Sequence, residues 1–262
     1  MRLERLGAEH GFTTRSGGVS SGPYASLNLG LSSGDARSAV ERNRDILLGH
    51  LGTTRAGVCA FNQVHGKRVL VGRPTWFEED ADAAVSDDPE LLLIVSAADC
   101  FPVLFHDPVH GAVGAAHCGW RGTASRLVAD VVATMGREYG TDPADLLVAV
   151  GPGIRGGCYQ VSVDVVDRFE AAGFPESVST PDGEGFLLDL ESAVLMTLTD
   201  AGVPEESVEF LRRCTHCEPE AFYSHRRDAG HTGRLWGFVR ASGGGSRGRD
   251  AVVEGANARV AE

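Results

Sequence analysis

The stretch AVGAAHCGWRG, residues 112–122, joins an apolar β-type run to a histidine, a thiol, an indole and a guanidinium. A continuous run of small and β-branched residues is typical of a buried strand. Binding and catalytic side chains tend to stand where a rigid element gives way to a loop. The stretch therefore predicts a strand that carries His117 to a functional site.

Two further segments have the same character. FNQVHG at 61–66 places a histidine after a short apolar start, and LLLIVSAADC at 91–100 runs a predicted strand into Asp99 and a cysteine. Strand ends that are distant in sequence can meet in space. The candidate site is the set His65, Cys100 and His117.

Hydrophobic periodicity predicts helices and strands around these segments. Pro108 and Gly111 favour a turn that would join 91–97 and 111–117 as adjacent antiparallel strands, and GWRG reads as a turn before the next helix. The predicted helices are 35–51 with Asp35 as N-cap, 123–138 ending at Gly140, 163–171 with Ser162 as N-cap, and 189–201. The predicted strands are 91–97, 111–117, 146–150, 207–212 and 234–240. The imperfect alternation favours an α/β or α+β fold with mixed sheets.

The bulk composition limits the classes of protein that fit. With 262 residues, 42% hydrophobic and 23% charged, we expect one domain over residues 1–240. The segment 241–262 is glycine-rich with few large apolar residues, and we expect it to be disordered. A formal charge of −12 argues against a nucleic-acid or anionic-membrane surface. Neither a secretion signal nor a run of about 20 apolar residues is present, which predicts a cytoplasmic protein with no membrane partner.

The three candidate residues allow two kinds of chemistry. A catalytic zinc site uses three ligands from histidine, cysteine or carboxylate and leaves a fourth position open, which His65, Cys100 and His117 could satisfy. Alternatively, Cys100 is a nucleophile, either histidine is its base, and Asp99 or Asn62 orients that base. Spacing alone also allows core histidines beside a buried thiol.

The remaining cysteines are expected to be thiols or core residues, because six cysteines are too few for a disulfide scaffold in a chain of this length. CTHC at 214–217 has the spacing of a metal knuckle or a redox dithiol. A structural zinc normally needs a second pair, which the sequence does not show, so we predict a structural or solvent-protected role. We expect Cys59 and Cys158 in the core, and Cys118 on the strand face opposite His117.

Several cationic and aromatic residues suit an anionic or aromatic substrate. Arg121, Arg226 and Arg227 offer planar bidentate donors for phosphate or carboxylate, although a single arginine more often forms a surface ion pair. Trp120 has the shape to stack on a base, or to pack the turn.

Six ordered motifs resemble one known family. They are TTRSGGVS at 13–20, NQVHG at 62–66, ADCFPV at 98–103, AHCGWRG at 116–122, GPGI with CYQV through 161, and FYSHRRD at 222–228 with GR at 233–234. Over about residues 10–240 the chain resembles the laccase-domain family, whose members are variously called polyphenol oxidase, peptidoglycan editing factor or purine nucleoside phosphorylase. The chain departs from the family pattern at Phe101, Cys118 and His225, where leucine, alanine and tyrosine are common.

The resemblance implies a four-layer α/β/β/α fold like that of cytotoxic necrotizing factor catalytic domains. It also implies a zinc ion, with copper as a possible substitute, held by His65, Cys100 and His117. The implied activities are phosphorolysis of adenosine, inosine and methylthioadenosine to base and ribose 1-phosphate, and adenosine deamination. On this reading Cys100, Asp99 and Arg121 are catalytic, with Asp99 transferring protons and Arg121 and Arg227 binding phosphate. The implied substrate-binding residues are Arg15, Asn62, Trp120, Arg226 and Arg227.

Other functions remain open at this stage. One is a cysteine-type amide hydrolase or editing enzyme that acts on peptidoglycan precursors, and another is a binding module for nucleosides or metals that has no turnover. A copper-dependent polyphenol oxidase is a third, but a four-copper oxidase needs about ten histidines, many in His-x-His pairs, and this chain has nine and no such pair. The absence of coiled-coil heptads predicts a monomer.

Overall fold

The computed structural model describes residues 1–242, within which lie fourteen strands and five helices. The strands are β1 (Glu9–Phe12), β2 (Val58–Asn62), β3 (Val69–Val71), β4 (Thr75–Asp80), β5 (Ala83–Ser86), β6 (Leu92–Ala97), β7 (Phe101–His106), β8 (Val113–Cys118), β9 (Leu147–Val150), β10 (Gln160–Val161), β11 (Ser179–Asp182), β12 (Gly185–Leu188), β13 (Val208–Phe210) and β14 (Leu235–Arg240). The helices are α1 (Arg37–His50), α2 (Trp120–Ala124), α3 (Leu127–Tyr139), α4 (Val163–Ala171) and α5 (Leu190–Asp200). Residues 243–262 of the predicted disordered tail lie outside the described residues.

The strands form two large mixed sheets and one small sheet. The five-stranded sheet has the order β1-β14-β6-β2-β4, and the six-stranded sheet has the order β13-β9-β7-β8-β5-β3. In the first, β6 is antiparallel to β14 and parallel to β2; in the second, β8 is antiparallel to both neighbours and β3 is parallel to β5. The small sheet is β10-β12-β11. The predicted mixed α/β class is confirmed.

Alternation of side chains along the central strands builds the layers. In β6, Leu92 and Ile94 pack with residues of α1, whereas Leu93 and Val95 pack with the six-stranded sheet. In β7, Leu104 faces the five-stranded sheet, and its neighbours pack with α3, α4 and α5. Burying one such side chain fully is worth roughly 1.5–3 kcal/mol. The layers therefore run α1, sheet, sheet, helices, as the four-layer prediction has it; the likeness to cytotoxic necrotizing factor domains stays a prediction.

Strand β7 was not predicted, and it changes the topology of the hairpin. It pairs with β8 so that Pro102 lies opposite His117, and the turn between them contains Pro108 and Gly111. The predicted pairing of 91–97 with 111–117 is wrong, because β6 and β8 belong to different sheets. Pro102 disfavours a central strand. The paired positions of β7 and β9 begin at Val103, however, so Pro102 lies at the end of that ladder, where a missing N–H is tolerated.

The segment GWRG begins a helix and is not a turn. Trp120 and Arg121 form the first positions of α2, which ends at Ala124. The predicted helix 123–138 is interrupted here, because Arg126 has a left-handed backbone with φ of 60° before α3 begins at Leu127. The left-handed residue therefore separates α2 from α3.

The other helix ends follow the sequence closely, with one exception. Ser162 is the N-cap position of α4 and Gly140 ends α3 in a left-handed conformation, as predicted. Asp35 does not cap α1; Ala36 occupies that position, and Oδ2 of Asp35 accepts hydrogen bonds from Ser20 Oγ (2.6 Å) and Asn28 Nδ2 (3.0 Å). Within residues 1–242 no helix has the length and apolar character to cross a bilayer.

Candidate metal centre and its cavity

Three loop or strand ends converge on one point between the sheets. His117 lies at the end of β8, Cys100 in the connection from β6 to β7, and His65 in the loop after β2. One ligand atom of each lies within 4.8 Å of the other two. The histidine rings stand almost perpendicular, with centroids 4.9 Å apart. The structure therefore brings together the three residues that the sequence analysis placed in one site.

A buried carboxylate that the sequence analysis missed organises this group. Oδ1 of Asp82 lies 2.9 Å from Nδ1 of His117, and the two carboxylate oxygens accept hydrogen bonds from the backbone N–H groups of Val64 (3.2 Å), His65 (3.0 Å) and Gly66 (2.6 Å). With Nδ1 hydrogen-bonded to the carboxylate, Nε2 is the ring nitrogen of His117 that is left for a ligand. The two imidazoles and the thiol fit a metal ion, and Asp82 holds both histidines in place without being a ligand itself.

The sequence carries a signal for Asp82. It directly precedes the apolar strand β5, and its side chain is fully buried. Burial opposes ionisation, but hydrogen bonds from His117 and Gly66 outweigh it and lower the pKa of the Asp82 carboxyl. A charged residue at the start of a buried strand indicates internal hydrogen bonds, because a buried charge needs partners inside the protein.

The thiol and imidazole of the site stabilise each other's charged forms. Burial opposes ionisation of Cys100, but the two neighbouring imidazoles, His117 above all, hold the pKa of this thiol at about 6. For His117 burial again opposes the charge, while Cys100 and Asp82 raise its pKa to about 9. The thiolate is the form that binds metals and attacks electrophiles, so both chemistries named above have their reactive species here.

A cavity of about 710 Å³ opens beside this group. Cys100, His65 and His117 line it together with residues from both large sheets and from α1 and α2. Pockets for small molecules commonly measure roughly 300–1,000 Å³. The predicted site residues that line the cavity are Asn62, Asp99, Trp120, Arg121 and Arg226.

Arg121 and Asn62 are available to a ligand. The guanidinium carbon of Arg121 lies 4.3 Å from the centroid of the Trp120 ring, and its side chain is exposed. Within residues 1–242 neither Arg121 nor Asn62 uses its side chain in a hydrogen bond or ion pair with the protein. The guanidinium of Arg121 thus lies over the Trp120 ring, and the stacking of that ring on a base stays a prediction.

Arg226 and Asp99 hold one wall of the cavity in place. The carboxylate of Asp99 accepts from Thr215 Oγ1 (2.6 Å) and from the backbone N–H of Arg226 (2.7 Å). The guanidinium of Arg226 donates to the carbonyl of Gln160 (2.6 Å) and lies 5.0 Å from the ring centroid of Tyr159. The first role of Asp99 is therefore to position two loops, and proton transfer can use only its remaining lone pairs.

Arg227 is not among the residues that line the cavity, and its contact with phosphate stays a prediction. Its guanidinium donates to both oxygens of Asp228 (2.8 and 2.9 Å) and to the carbonyls of Thr215 (2.7 Å) and Phe222 (3.0 Å). Five N–H donors are available to an arginine, and here the protein uses them. Arg227 joins three parts of its own loop.

Arg15 likewise uses its side chain in contacts with the protein, and its contact with substrate stays a prediction. It donates to the carbonyls of Ala25 (2.7 Å) and Pro219 (2.8 Å), and its guanidinium lies 4.7 Å from the ring centroid of Tyr223. Its side chain does not line the cavity. The TTRSGGVS motif therefore contributes to the fold here more than to the site.

Replacing Arg227 by glutamine is expected to lower the free energy of unfolding by about 2 kcal/mol, because the partly buried Asp228 carboxylate and two carbonyls lose their donor. Urea denaturation measures this loss. The phosphate KM should stay within twofold of the wild-type value. A rise in that KM at unchanged stability would show that Arg227 is a substrate ligand.

The sequence analysis also missed a buried arginine in the cavity wall. Arg44 is 2% exposed, its Nε donates to the carbonyl of Leu29 (2.9 Å), and its Nη1 has no partner among the described residues. Burial lowers the pKa of Arg44 to about 10. The signal was present: Arg44 stands four residues after Val40 and three before Leu47, on the apolar face of α1.

Two of the three cysteines that were predicted from their strand or turn neighbours lie as predicted. Cys59 is buried in the core, and Cys118 packs against the helices on the strand face opposite His117. Cys158 is not a core residue; it is half-buried, and its Sγ lies 3.2 Å from Sγ of the exposed Cys217.

Comparison with known proteins gives the same result from sequence and from structure. Residues 9–242 match the family described as multi-copper polyphenol oxidoreductase laccase. A purine nucleoside phosphorylase of Deinococcus radiodurans is 43% identical over 240 residues, which is 91% of this chain and 91% of that protein. The purine nucleoside phosphorylase YlmD of Geobacillus stearothermophilus is 39% identical over 247 residues, 89% of this chain and 90% of that protein.

Solved structures share the fold over most of the chain. The crystal structure of YlmD from Geobacillus stearothermophilus superimposes with a TM-score of 0.85 at 35% identity and covers 91% of this chain and 94% of that one. A Bacillus licheniformis protein described as hypothetical protein YfiH superimposes with a TM-score of 0.84 at 34% identity, over 89% of this chain and 92% of that one.

Proposed function

Since this chain belongs to the multi-copper polyphenol oxidoreductase laccase family, we propose that it is a zinc-dependent purine nucleoside phosphorylase. Its substrates are phosphate and adenosine, inosine or methylthioadenosine, and its products are the free base and ribose 1-phosphate. The observation that carries the proposal is a cavity of about 710 Å³ that is lined by the His65, Cys100 and His117 group. The guanidinium of Arg121, which forms no ion pair among the described residues, lies on the wall of the same cavity. The names of the relatives support the same activity.

The donor set suits zinc better than a copper cluster. Two imidazoles and one thiolate are ligands that zinc accepts in a catalytic site with an open position, where the ion acts as a Lewis acid when bound. Residues 1–242 contain two groups of three potential metal ligands. One is the His65, Cys100 and His117 group, and the other consists of three cysteines. A four-copper oxidase needs many more histidines than these groups supply. We therefore assign phenol oxidation at most to adventitious copper.

Arg121 is the residue that we assign to phosphate. Its guanidinium presents a planar fork of donors to the cavity, and no carboxylate among the described residues neutralises it. The ring of Trp120 holds it from one side, so the fork loses little freedom when it binds. Phosphorolysis joins a phosphate oxygen to the anomeric carbon of the ribose while the bond to the purine nitrogen breaks. Arg121 binds the phosphate for that attack.

Other residues that line the cavity are assigned to the nucleoside. The amide of Asn62 can both donate to and accept from a purine edge. Burial raises the pKa of Tyr159, so it stays a neutral phenol with an aromatic face. Arg226 is fixed beside that ring at 5.0 Å and closes the wall.

We assign adenosine deamination to the same cavity as a secondary activity. Deamination replaces the amino group at C6 with an oxygen from water and releases ammonia, so protons must be moved. Asp99 is the one acidic residue among the residues that line the cavity. Each of its oxygens keeps a lone pair beyond the hydrogen bond that it accepts. The test is ammonia release from adenosine in the absence of phosphate.

Removal of the metal tests the phosphorylase proposal. We expect the chelated protein to lose ribose 1-phosphate formation from inosine and to regain it with zinc, and we expect no product without phosphate. The alternative amide hydrolase of peptidoglycan precursors would survive chelation and be inactivated by thiol alkylation. A polyphenol oxidase would require copper and oxygen, and a binding module would bind inosine tightly and form no product. Any of these three results would contradict the proposal.

Replacing Arg121 by alanine is expected to raise the phosphate KM by roughly 10- to 100-fold, because one charge-assisted contact worth about 1.5–3 kcal/mol is lost. The inosine KM should change much less. Steady-state kinetics at varied phosphate measures both values, and Arg137→Ala on the exposed face of α3 is the matched control. An unchanged phosphate KM would remove Arg121 from the site.

A further inference from the structure

Two loops bring a second group of sulfur ligands together away from the cavity. Cys158 follows β9 in a short turn, and Cys214 and Cys217 follow β13 in the CTHC segment. Their three Sγ atoms all lie within 4.8 Å of one another, and Cys158 Sγ is 3.2 Å from Cys217 Sγ. All three are free thiols. The sequence lacked a second pair for CTHC, and the fold supplies a third thiol from 56 residues earlier in the chain.

Backbone hydrogen bonds hold the two loops together without help from the sulfur atoms. Gly153 pairs with Cys214 as a parallel bridge. The N–H of Gly153 donates to the carbonyl of Arg213 (3.4 Å), and the N–H of Thr215 donates to the carbonyl of Gly153 (3.0 Å). The thiols are therefore preorganised, so a ligand that binds them orders little additional chain.

We propose that Cys158, Cys214 and Cys217 form a second zinc site with three thiolate ligands and one position open to solvent. Zn–S bonds of about 2.3 Å in a tetrahedron place sulfur atoms roughly 3.8 Å apart, so small side-chain movements complete the site. Cys217 is exposed, and the fourth position therefore lies towards water. A disulfide would use two of the three sulfurs and leave the third without a role, whereas a soft metal ion uses all three.

This site would support the cavity wall. Tyr159 directly follows Cys158 and lines the cavity, where it contacts Arg226. A metal that links the loop after β9 to the loop after β13 would fix Tyr159 relative to Arg226. The second zinc is therefore structural, and its loss should affect stability before it affects chemistry.

Zinc stoichiometry tests the proposal on the full chain. We expect wild-type protein to bind two zinc ions per chain, and Cys217→Ser and Cys158→Ala each to bind one. Cys100→Ala should also bind one, and the combination with Cys217→Ser should bind none. Loading with cobalt should give sulfur-to-cobalt charge-transfer bands in Cys100→Ala that disappear when Cys217→Ser is added. Cys158 and Cys217 lie outside the core, so their variants should fold.

The control is Cys59→Ala, which removes a core thiol and should leave two zinc ions bound. The melting temperature with and without chelator gives an independent measurement. Chelator should lower the melting temperature of Cys100→Ala, which keeps the second site, and should not change that of the combination with Cys217→Ser. One zinc ion in the wild type, with the same content in Cys217→Ser, would overturn the proposal. So would a Cys158–Cys217 disulfide that persists when zinc is supplied under mild reduction. Either result leaves the phosphorylase proposal untouched, because that proposal depends on the first site.

Discussion

The Cys100→Ala variant is expected to lose one zinc ion and at least about 1,000-fold in kcat/KM for inosine phosphorolysis, because a bound Lewis acid contributes several kcal/mol and each 1.36 kcal/mol is tenfold in rate. The thiol is the one ligand of the group that carries a full negative charge, and the pKa of about 6 shows how strongly the site favours its ionised form. Its removal leaves two imidazoles, of which His65 is exposed. Metal analysis and product chromatography on the same sample measure both effects.

Two outcomes would contradict this expectation in different ways. Loss of activity with full zinc content would make Cys100 a nucleophile and favour the amide hydrolase. Full activity with full zinc content would remove Cys100 from the chemistry altogether. Cys59→Ala is the matched control, because it removes a buried thiol from the core and should change neither value.

The metal-ligand group could be predicted from sequence because each ligand directly follows a recognisable strand or motif. His117 ends an apolar run, and Cys100 follows another, so both could be placed at strand ends without any knowledge of the sheets. The family motifs then strengthened the zinc interpretation. The structure adds Asp82, which joins the two histidine segments and which no local pattern connects to them.

The arginines show where sequence reasoning ends. Arg121 and Arg227 both lie in family motifs, yet one faces the cavity and the other is saturated by Asp228 and by carbonyls of its own loop. Arg44 lies in no quoted motif and lines the cavity. A long arginine side chain reaches partners that are distant in sequence, and the tertiary fold decides which partners these are. Local periodicity does not contain that information.

Topology was predicted less well than local structure, for a physical reason. Pro102 hid strand β7, because a proline cannot donate the backbone N–H that pairing inside a sheet uses. Without β7 the chain appeared to turn back within one sheet, whereas β6 and β8 belong to opposite sheets. The approach of Cys158 to the CTHC segment follows from the parallel pairing of β9 with β13, and local sequence patterns do not contain such long-range pairings.

Replacing Gly119 by alanine is expected to disrupt the metal centre while the fold is retained. Gly119 has φ of −81° and ψ of 171°, which alanine adopts without strain. A Cβ atom there would lie 2.9 Å from Sγ of Cys100 and 3.1 Å from Cδ2 of His65, closer than such atoms approach. The thiol of Cys100 must therefore shift, and the imidazole of His65 must give by a few tenths of an ångström.

We expect kcat/KM to fall roughly 100-fold, since a displacement of about 1 Å at a reacting centre has that effect. Zinc affinity should fall with it, while the melting temperature of the metal-free protein should change by only a few degrees. Gly49→Ala is the matched control, because a Cβ there meets no atom within 4 Å. Unchanged zinc affinity in Gly119→Ala would mean that His65 and Cys100 do not hold the ion together. The zinc affinity of Gly119→Ala thus distinguishes two cases. In the first, His65 and Cys100 bind the same metal ion, and in the second they lie near each other without binding one.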